Sequence, residues 1–373
     1  MTDQASPVPV KYRYGSWNVR SIAGKNEESK RSLLCHQLGI YDFHLVCLQE
    51  TRLITAKDHI VPNWGRSKSD PKDARCFHYH FANSSADEIK RKGKTWSHPD
   101  EKKRAKEKRD QPPLKPSTVG TAGVGFAWRH DLVRCREFRS VSSRLCWGHF
   151  EPQEAGGSKS FIAVSCYAPT LGNKEETIKF YLELDSEIVK LQRNFKKKYL
   201  YVAGDFNTSF GNNAIYLGKE MTHFRHPREN EKTSWNARKF LGFVKKKGFR
   251  VANIEKKCAK EKQGERPSDD TWSHPRTKRT SLKDLLITSN ACYRQVKVCK
   301  PLGPWHSRIL SDHRPIVWEL DRKNANFQTR TEDESSYVPQ INARNSSQGK
   351  GARNSTQTHP SGKNQNGGHK NDP

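Results

Sequence analysis

The sequence lacks any apolar run that approaches the roughly 20 residues of a bilayer-spanning helix, so we expect no membrane-embedded segment. Its nine cysteines are scattered and form no Cys-x-x-Cys pair, which argues against a zinc site and against a secreted disulfide framework. Cys47 and Cys166 lie inside apolar runs and are expected to be small core residues. Residues 1–11 are polar and contain two prolines, unlike a signal peptide. We therefore predict an intracellular protein of a reducing compartment.

Acidic residues are scarce relative to basic ones. The chain has 40 Asp and Glu against 68 Lys and Arg, which gives a formal net charge of +28. This excess favours a polyanionic partner, either nucleic acid or an anionic membrane surface, although charge can also serve solubility alone. Aromatic residues such as Trp235 and Phe240 precede the basic stretch 245–247 and favour nucleic acid. The runs 90–94 and 102–104 predict nuclear localisation, with solvated surface as the alternative.

Composition divides the chain into three parts. We expect residues 1–11 to be a disordered N-terminus, and residues 12–322 to form one domain. We expect residues 323–373 to be a disordered tail, because they are polar and almost devoid of apolar side chains. Within the domain, residues 65–117 carry charge runs and several prolines and interrupt the hydrophobic pattern. This stretch is predicted to be an exposed, largely flexible basic insertion.

Hydrophobic periodicity predicts alternating strands and helices in the rest of the domain. Strands are predicted at Tyr14–Val19, Phe43–Leu48, Gly123–Trp128, Phe161–Tyr167, Tyr199–Ala203, Leu285–Ile287 and Ile316–Leu320. Helices are predicted at Lys30–Leu38, Glu175–Arg193 and Ala237–Lys247. Because a strand, a helix and a second strand come first, the pattern indicates a layered α/β fold.

Polar side chains stand at the ends of these predicted strands, where open α/β architectures place their chemistry. A carboxylate such as Asp205 can take a proton from water, and an amide such as Asn207 can hold that water. A protonated imidazole such as His313 can offset negative charge on phosphorus. The combination predicts hydrolysis of a phosphate ester. The full set of strand-end residues is Asn18, Glu50, Tyr167, Asp205, Asn207, Asp284, Asp312 and His313.

Five short motifs occur along the chain in an order that resembles the endonuclease/exonuclease/phosphatase superfamily. They are Trp17-Asn18-Val19-Arg20, Leu48-Gln49-Glu50-Thr51-Arg52, Tyr167-Ala168-Pro169, Gly204-Asp205-Phe206-Asn207 and Ser311-Asp312-His313-Arg314-Pro315. Finer features, such as Thr271-Trp272 shortly before Asp284, resemble the endonuclease domains of non-LTR retrotransposons and the craniofacial development protein 2 group. A reverse transcriptase would follow in a retrotransposon, whereas a polar tail follows here.

The resemblance implies an α/β fold of the DNase I-like type, a four-layer sandwich of two packed mixed β-sheets flanked by helices. It also implies a Mg²⁺ ion, with Mn²⁺ as a substitute, held by Glu50 with Asn18 and Asp312 nearby, since hard oxygen ligands suit Mg²⁺. In the same family pattern Asp205 would position and deprotonate the attacking water. Asn207 would hydrogen-bond to the phosphate or to that water.

The remaining roles also follow from the resemblance. His313 would stabilise negative charge on the phosphoryl oxygens, and Asp284 would orient His313. Tyr167 would donate a hydrogen bond to the phosphate. Residues in or beside the motifs are expected to contact nucleic acid, namely Arg20, Arg52, Thr170, Trp272 and Arg314.

Three positions depart from the family pattern. Arg20 stands where some repair enzymes carry an Asp near the metal, and Thr170 replaces an Asn that can contact phosphate. Lys283 and Leu285 flank Asp284, where an apolar residue and an aromatic residue are usual. The segment also lacks an aromatic residue that could form the wall of an abasic-sugar pocket, so a nicking endonuclease is favoured over an abasic-site enzyme.

Each of these residues also has an ordinary structural interpretation when it is taken alone. Asn18 could be a turn residue at a strand end, and Asp284 could simply pair with Lys283 or Arg279. The order of all the motifs together favours a monomeric, Mg²⁺-dependent endonuclease that nicks DNA and does not act at a membrane. Two alternatives stay open, a module that binds nucleic acid without cutting it, and a phosphatase or phosphodiesterase for lipid or inositol phosphates.

Overall fold

The computed structural model describes the part of the chain that positions the strand-end residues. The described residues are 12–24, 27–54, 60–66, 78–87, 120–153, 159–170, 173–196, 199–210, 233–255, 270–278, 280–302 and 311–320. All of them belong to one unit, Met1–Phe327. The predicted N-terminal and C-terminal disordered segments lie outside the described residues. No described helix combines the length and the apolar character of a membrane-spanning segment.

A seven-stranded sheet contains the first two predicted strands at its centre. Its strands are β1 (Tyr12–Asn18), β2 (Leu45–Gln49), β3 (Val61–Arg66), β4 (His78–Asn83), β5 (Val124–Arg129), β14 (Val296–Pro301) and β15 (Ile316–Leu320). Their order is β14-β15-β1-β2-β5-β4-β3. β1 and β2 are parallel and the other neighbours are antiparallel, so the sheet is mixed.

A six-stranded sheet carries the second parallel pair. Its strands are β6 (Val133–Ser142), β7 (Leu145–Pro152), β8 (Phe161–Tyr167), β9 (Tyr199–Asp205), β10 (Arg250–Val251) and β13 (Asp284–Thr288). Their order is β10-β13-β9-β8-β7-β6, with β8 parallel to β9. A separate two-stranded ribbon pairs β11 (Trp272–Ser273) with β12 (Thr280–Ser281).

Five helices are described: α1 (Glu27–Ile40), α2 (Lys174–Asn194), α3 (Trp235–Lys247), α4 (Ala252–Glu255) and α5 (Asn290–Gln295). The side chain of Asn173 caps the start of α2 and that of Ser234 caps the start of α3, so each accepts a backbone N–H that the helix leaves unpaired. Gly248 ends α3 in the left-handed conformation that glycine adopts without steric cost. The three predicted helices are confirmed as α1, α2 and α3.

The two sheets pack face to face and the longer helices cover their outer faces. Tyr14 of β1 and Phe161 of β8 meet between the sheets with ring centroids 5.0 Å apart. Leu38 of α1 packs on the outer face of the seven-stranded sheet, whereas Leu184 of α2 and Phe240 of α3 pack on the six-stranded sheet. The predicted four-layer sandwich of two mixed sheets is therefore confirmed. Both faces of the central strands are covered, which is why their sequences are continuous apolar runs.

The predicted basic insertion over residues 65–117 is wrong in part, because β4 lies within it. β4 is an inner strand that pairs with β3 and β5, and the side chains of Tyr79 and Phe81 are buried against α1 and its neighbours. The sequence pattern missed this strand because it holds few apolar residues between polar segments. The pattern also missed β6, an edge strand whose side chains are mostly only partly buried. The charge runs at 90–92 and 102–109 lie outside the described residues.

Candidate active site

The parallel strand pairs of both sheets end at one edge of the sandwich, and the strand-end residues meet there. Asn18 ends β1, Glu50 follows β2, and Tyr167 and Asp205 end the parallel strands β8 and β9. β13 runs antiparallel to β9, so its first residue, Asp284, lies directly opposite Asp205 in the register. β15 runs antiparallel to β1, which brings the segment before it, residues 311–315, to the same edge.

Glu50 is held by three donors. Asn18 Nδ2 donates to its Oε1 at 3.0 Å, the Tyr167 hydroxyl donates to Oε1 at 2.8 Å, and Arg52 donates to Oε2 at 2.6 Å. Burial by itself would raise the pKa of Glu50, but these hydrogen bonds outweigh it and the pKa lies below its ordinary value. The backbone of Glu50 has φ of 52°, an uncommon conformation for a non-glycine residue. The result is an ionised carboxylate at the site's edge.

Asp205 is almost fully buried between Asn18 and the loop that follows β9. Its Oδ2 accepts from Asn18 Nδ2 at 3.0 Å, and its Oδ1 accepts from the backbone N–H of Asn207 at 2.8 Å. Burial, and then the negative charge of Asp284, raise the pKa of Asp205 to about 6, against the opposing effect of His313. A carboxylate with this pKa is ionised at neutral pH and is still basic enough to take a proton from water.

His313 pairs with Asp284 and faces Asp205. Its Nδ1 lies 2.8 Å from Asp284 Oδ2, and its Nε2 lies 3.8 Å from Asp205 Oδ2. Burial acts to lower the pKa of His313, but the charge and hydrogen bond of Asp284 and the charge of Asp205 raise it to about 9. The imidazole is therefore cationic at neutral pH. Asp284 is fully buried, and within the described residues its Oδ1 has no hydrogen-bond partner.

Several residues that support the site were missed by the sequence pattern. Ser311 Oγ donates to the Asn18 carbonyl at 2.6 Å and accepts from the His313 N–H at 3.1 Å. Thr271 Oγ1 accepts from the N–H groups of Lys283 and Asp284. Their hydroxyls tie the loops to the strand ends. Ser311 and Thr271 both stand beside predicted site residues, but their interactions depend on segments distant in sequence.

Gln49 was also missed, although it stands next to Glu50 in a motif. Its side chain is fully buried between the two sheets and accepts from Ser16 Oγ at 3.2 Å. Its Nε2 donates to Ser165 Oγ at 3.1 Å, and Ser165 Oγ donates to the Leu48 carbonyl. This polar chain joins β2 to β8 just behind Glu50 and Tyr167. A buried glutamine at the end of an apolar strand was the signal that could have identified it.

Asp312 lies on the outer side of the site and is held by two neighbours. Its Oδ2 accepts from Trp272 Nε1 at 3.1 Å and lies 3.6 Å from Arg20 Nη1. The ring of Trp272 is covered by Lys283, whose Nζ is 3.5 Å from the ring centroid. Trp272 thus positions Asp312, and its predicted contact with nucleic acid stays a prediction.

The other residues predicted to contact nucleic acid differ in their exposure and in their partners. Arg20 is about half exposed at its side chain (48%) and Thr170 is exposed, so both are open to a ligand. Arg52 is partly exposed, but its guanidinium is bound to Glu50. Arg314 is buried and donates to the carbonyl of Asp270, so its guanidinium is engaged inside the protein and its predicted contact with nucleic acid stays a prediction. The local pattern could not show that the loop turns this side chain inward.

The Tyr167 hydroxyl and the Asn207 amide each donate a hydrogen bond to another group of the protein. The Tyr167 hydroxyl is bound to Glu50, and burial followed by the charge of Glu50 raises its pKa, so it stays a donor. Asn207 Nδ2 donates to the Ala168 carbonyl at 2.8 Å, which engages one of its two amide hydrogens. Asn207 has φ of 47°, a conformation that asparagine tolerates better than most residues. The predicted contacts of both residues with phosphate stay predictions.

Glu50 and one further cluster of side chains are the candidates for binding a divalent cation. Glu50 of the predicted set is an ionised carboxylate, which suits Mg²⁺. Asn18 donates both amide hydrogens to carboxylates and accepts from the Arg20 N–H at its Oδ1, so in this arrangement it orients Glu50 and Asp205. Among the described residues, potential ligand atoms of Asp205, Asp284 and His313 all lie within 4.8 Å of one another, but the protonated His313 ring has no lone pair to offer a metal ion. The roles of Asn18 and Asp312 as ligands stay predictions.

A family model and several solved structures are similar to this chain. The model of the Endonuclease/Exonuclease/phosphatase family matches residues 15–313. No curated protein sequence matches the chain. The 3′ phosphatase NExo from Neisseria, solved with a product DNA hairpin, has a TM-score of 0.50 and 14% sequence identity, and the match covers 83% of this chain and 99% of that chain.

Two further structures illustrate the range of the match. AP endonuclease LMAP from Leishmania major has a TM-score of 0.50 and 16% identity, with 86% of this chain and 90% of that chain covered. The endonuclease domain of TRAS1, a telomere-specific non-LTR retrotransposon, has a TM-score of 0.45 and 12% identity, with 83% of this chain and 98% of that chain covered. At these identities the likeness shows the fold alone.

Proposed function

Because this chain belongs to the endonuclease/exonuclease/phosphatase family, we propose that it is a Mg²⁺-dependent endonuclease of retrotransposon-derived type that hydrolyses DNA phosphodiester bonds. Members of the family act as hydrolases on phosphodiester or phosphate esters. The observation that carries the proposal is the connected set of Glu50, Asn18, Asp205, His313 and Asp284 at one edge of the sandwich.

In this proposal Asp205 acts as the general base. With a pKa of about 6 it is ionised at neutral pH, and Asn18 and the Asn207 N–H hold its two oxygens in a fixed direction. A positioned base of this kind contributes about 10²-fold to 10⁴-fold in rate. Water that loses its proton to Asp205 becomes the nucleophile that attacks phosphorus, and the bond from phosphorus to the leaving oxygen breaks.

His313 supplies positive charge beside that base. Asp284 holds its Nδ1 and keeps the ring protonated, so Nε2 carries a hydrogen on the side that faces Asp205. A preorganised cation there would stabilise the negative charge that builds on the phosphoryl oxygens. Asp284 therefore acts through His313, as a positioning residue.

Glu50, with Asn18 and Asp312 nearby, is the set that we propose for Mg²⁺. When bound, the ion would polarise the phosphate and offset the charge of the leaving oxygen. The donors around Glu50, namely Asn18, Arg52 and Tyr167, keep its carboxylate ionised and in place before any metal arrives.

DNA is proposed over a small phosphate ester because of charge. The net charge of +28 favours a polyanion, and the exposed Arg20 and Thr170 border the site. A module that only binds would not need the Asp205 carboxylate at this position, since its negative charge repels a phosphate group. Nuclear localisation, a monomeric state and a preference for nicking are parts of the same proposal.

The test is nicking of supercoiled plasmid by the purified chain with Mg²⁺ and with excess chelator. The wild type should convert plasmid to the open circular form with Mg²⁺ alone. Asp205→Asn keeps the shape of the side chain and loses the base, so its rate should fall by about 10²-fold or more. Its affinity for DNA should be equal or higher, because a negative charge has left a phosphate site.

The matched control is Asp131→Asn, which removes a carboxylate from the exposed turn between β5 and β6. It should nick plasmid at the wild-type rate. Equal activity in chelator would contradict the metal requirement, and a large loss of DNA affinity in Asp205→Asn would show that Asp205 is structural. Cleavage of phosphomonoesters or inositol phosphates without plasmid nicking would support the phosphatase alternative instead.

A further inference from the structure

Three basic side chains surround one indole ring beside the candidate active site. Lys174 Nζ lies 5.7 Å, Arg238 Cζ 5.5 Å and Lys239 Nζ 4.8 Å from the ring centroid of Trp235. We call these four residues the Trp235 cation cluster. Lys174 and Arg238 are exposed, and Lys239 and Trp235 are partly buried, so the cluster lies at the surface.

The positive charges of the Trp235 cation cluster are not neutralised within the described part of the chain. None of its three cations forms an ion pair there, whereas Lys190 of α2 pairs with Glu187 and Lys246 of α3 pairs with Asp185. All three cations lie 4.8 to 5.7 Å from the centre of the same ring, so they repel one another. The indole face offsets only part of their mutual repulsion. An anion at this position would offset the rest.

The N-terminus of α3 adds positive potential at the same place, whereas Glu175 and Glu176 in the first turn of α2 offset the partial charge of that helix. Lys174 is the first residue of α2 and Trp235 is the first residue of α3. The helix macrodipole places a partial positive charge at each N-terminus, and phosphate groups bind well there. The cations and the N-terminus of α3 therefore favour the same kind of ligand.

The Trp235 cation cluster is tied to the active-site loops by the residue that follows Trp235. The amide of Asn236 donates to the carbonyls of Pro169 and Asn207 and is buried between them. Asn207 follows the proposed base, Asp205, by two residues, and the exposed Thr170 follows Pro169. The cluster thus lies next to the site, on the side where the loops after β8 and β9 leave it.

We propose that the Trp235 cation cluster binds a phosphate group of a polynucleotide strand that continues beyond the bond being cleaved. The inference rests on the proposed function, because it assumes that the cleaved phosphate lies at Asp205 and His313. A small phosphate ester would fill the active site alone and leave the cluster empty. The cluster therefore selects for a polymer.

The test measures binding of a short fluorescent DNA duplex in chelator over a range of salt concentrations. The variant is Lys174→Gln, Arg238→Gln and Lys239→Gln combined. The matched control is Arg193→Gln, Lys196→Gln and Lys245→Gln combined, which removes the same residue types from exposed positions at the other ends of the same helices. For each phosphate group that the variant no longer binds, the slope of log affinity against log salt should flatten by about 0.9, which is about an eight-fold weaker affinity near 0.1 M salt.

The control should bind the duplex more tightly than the cluster variant and keep a steeper salt slope. Equal affinity and equal slope in the two variants would overturn the inference, as would a wild type that does not bind the duplex in chelator. Since binding is measured without metal, it does not depend on cleavage. A wild type that binds through the cluster but never nicks plasmid would refute the proposed function and leave the cluster as a phosphate site.

Discussion

At the scale of single residues, the site depends on side chains that do two tasks at once. Asn18 donates one amide hydrogen to Glu50 and the other to Asp205, so it sets the distance between the proposed metal ligand and the proposed base. Glu50 in turn pairs with Arg52 and Tyr167. Removing one of these side chains leaves a buried polar group without its hydrogen-bond partner, and this costs more free energy than the hydrogen bond itself contributes.

Glu50→Ala is expected to abolish Mg²⁺-dependent nicking and to leave the fold intact. The change removes the ionised carboxylate proposed for the ion, and it removes only part of a side chain at the edge of the core. Plasmid nicking, calorimetric titration with Mg²⁺ and circular dichroism would check the three parts of this expectation. Glu137→Ala, on the edge strand β6, is the matched control and should bind Mg²⁺ and nick as the wild type does. Full activity in Glu50→Ala would refute the metal assignment.

At the scale of elements, β4 shows where the basic insertion can begin. β4 is an inner strand, and the bridge after it joins Asp87 to Thr121 through two backbone hydrogen bonds of 3.0 and 2.8 Å. The chain therefore leaves and re-enters the described structure at neighbouring points. A shortened loop can still join these two neighbouring points. The change in loop length costs little free energy, because the entropy of loop closure varies slowly with the number of residues.

Deleting residues 88–110 should therefore leave a folded, Mg²⁺-dependent nuclease with weaker DNA binding. The deleted lysines and arginines are expected to bind phosphate groups without reading sequence, so the salt slope should flatten by about 0.9 for each phosphate group no longer bound. Thermal unfolding and a binding titration at several salt concentrations would measure both effects. Unchanged affinity and slope would mean that the run is solvated surface. Loss of the fold would mean that the segment belongs to the core.

At the scale of the whole molecule, acid should destabilise this protein for a specific reason as well as a general one. Protonation adds charge to a chain that already carries +28, which increases its self-repulsion. His44, between α1 and β2, is buried, and among the described residues its Nδ1 has no hydrogen-bond partner. Burial first, with the positive charge of Arg129 and Arg13 against the negative charge of Asp42, lowers the pKa of His44 to about 4.

The unfolded chain therefore takes up a proton at His44 before the folded chain does. Because the pKa of His44 is lower in the folded chain than its ordinary value of 6.5, its neutral form contributes fully to the free energy of unfolding above pH 6.5. This contribution is lost as the pH falls towards 4. Between pH 7 and pH 5 the free energy of unfolding should fall by about 2 kcal/mol more in the wild type than in His44→Gln. Urea unfolding of both proteins at the two pH values would measure it. Parallel curves for the two proteins would contradict the assignment.

Sequence alone was sufficient for features whose signal is local. Apolar runs and helical spacing predicted the central strands and the three long helices, because burial on one or both faces imposes a period on neighbouring residues. The motif order placed Asn18, Glu50, Asp205, Asp284 and His313 at strand ends, and the structure brings all five together. The likeness of the motifs to a known family supplied their roles, which periodicity could not have done.

Tertiary structure decided every interaction between segments distant in sequence. Asn18 meets Asp205 across 187 residues, and Ser311 meets Asn18 across 293, because strand register and sheet packing determine those pairs. The same long-range pairing makes β4 an inner strand, buries Arg314 and brings Lys174 to the Trp235 ring, which Arg238 and Lys239 contact from within their own helix. A local pattern tells which side of an element is apolar, but which partner covers that side depends on the fold of the whole chain.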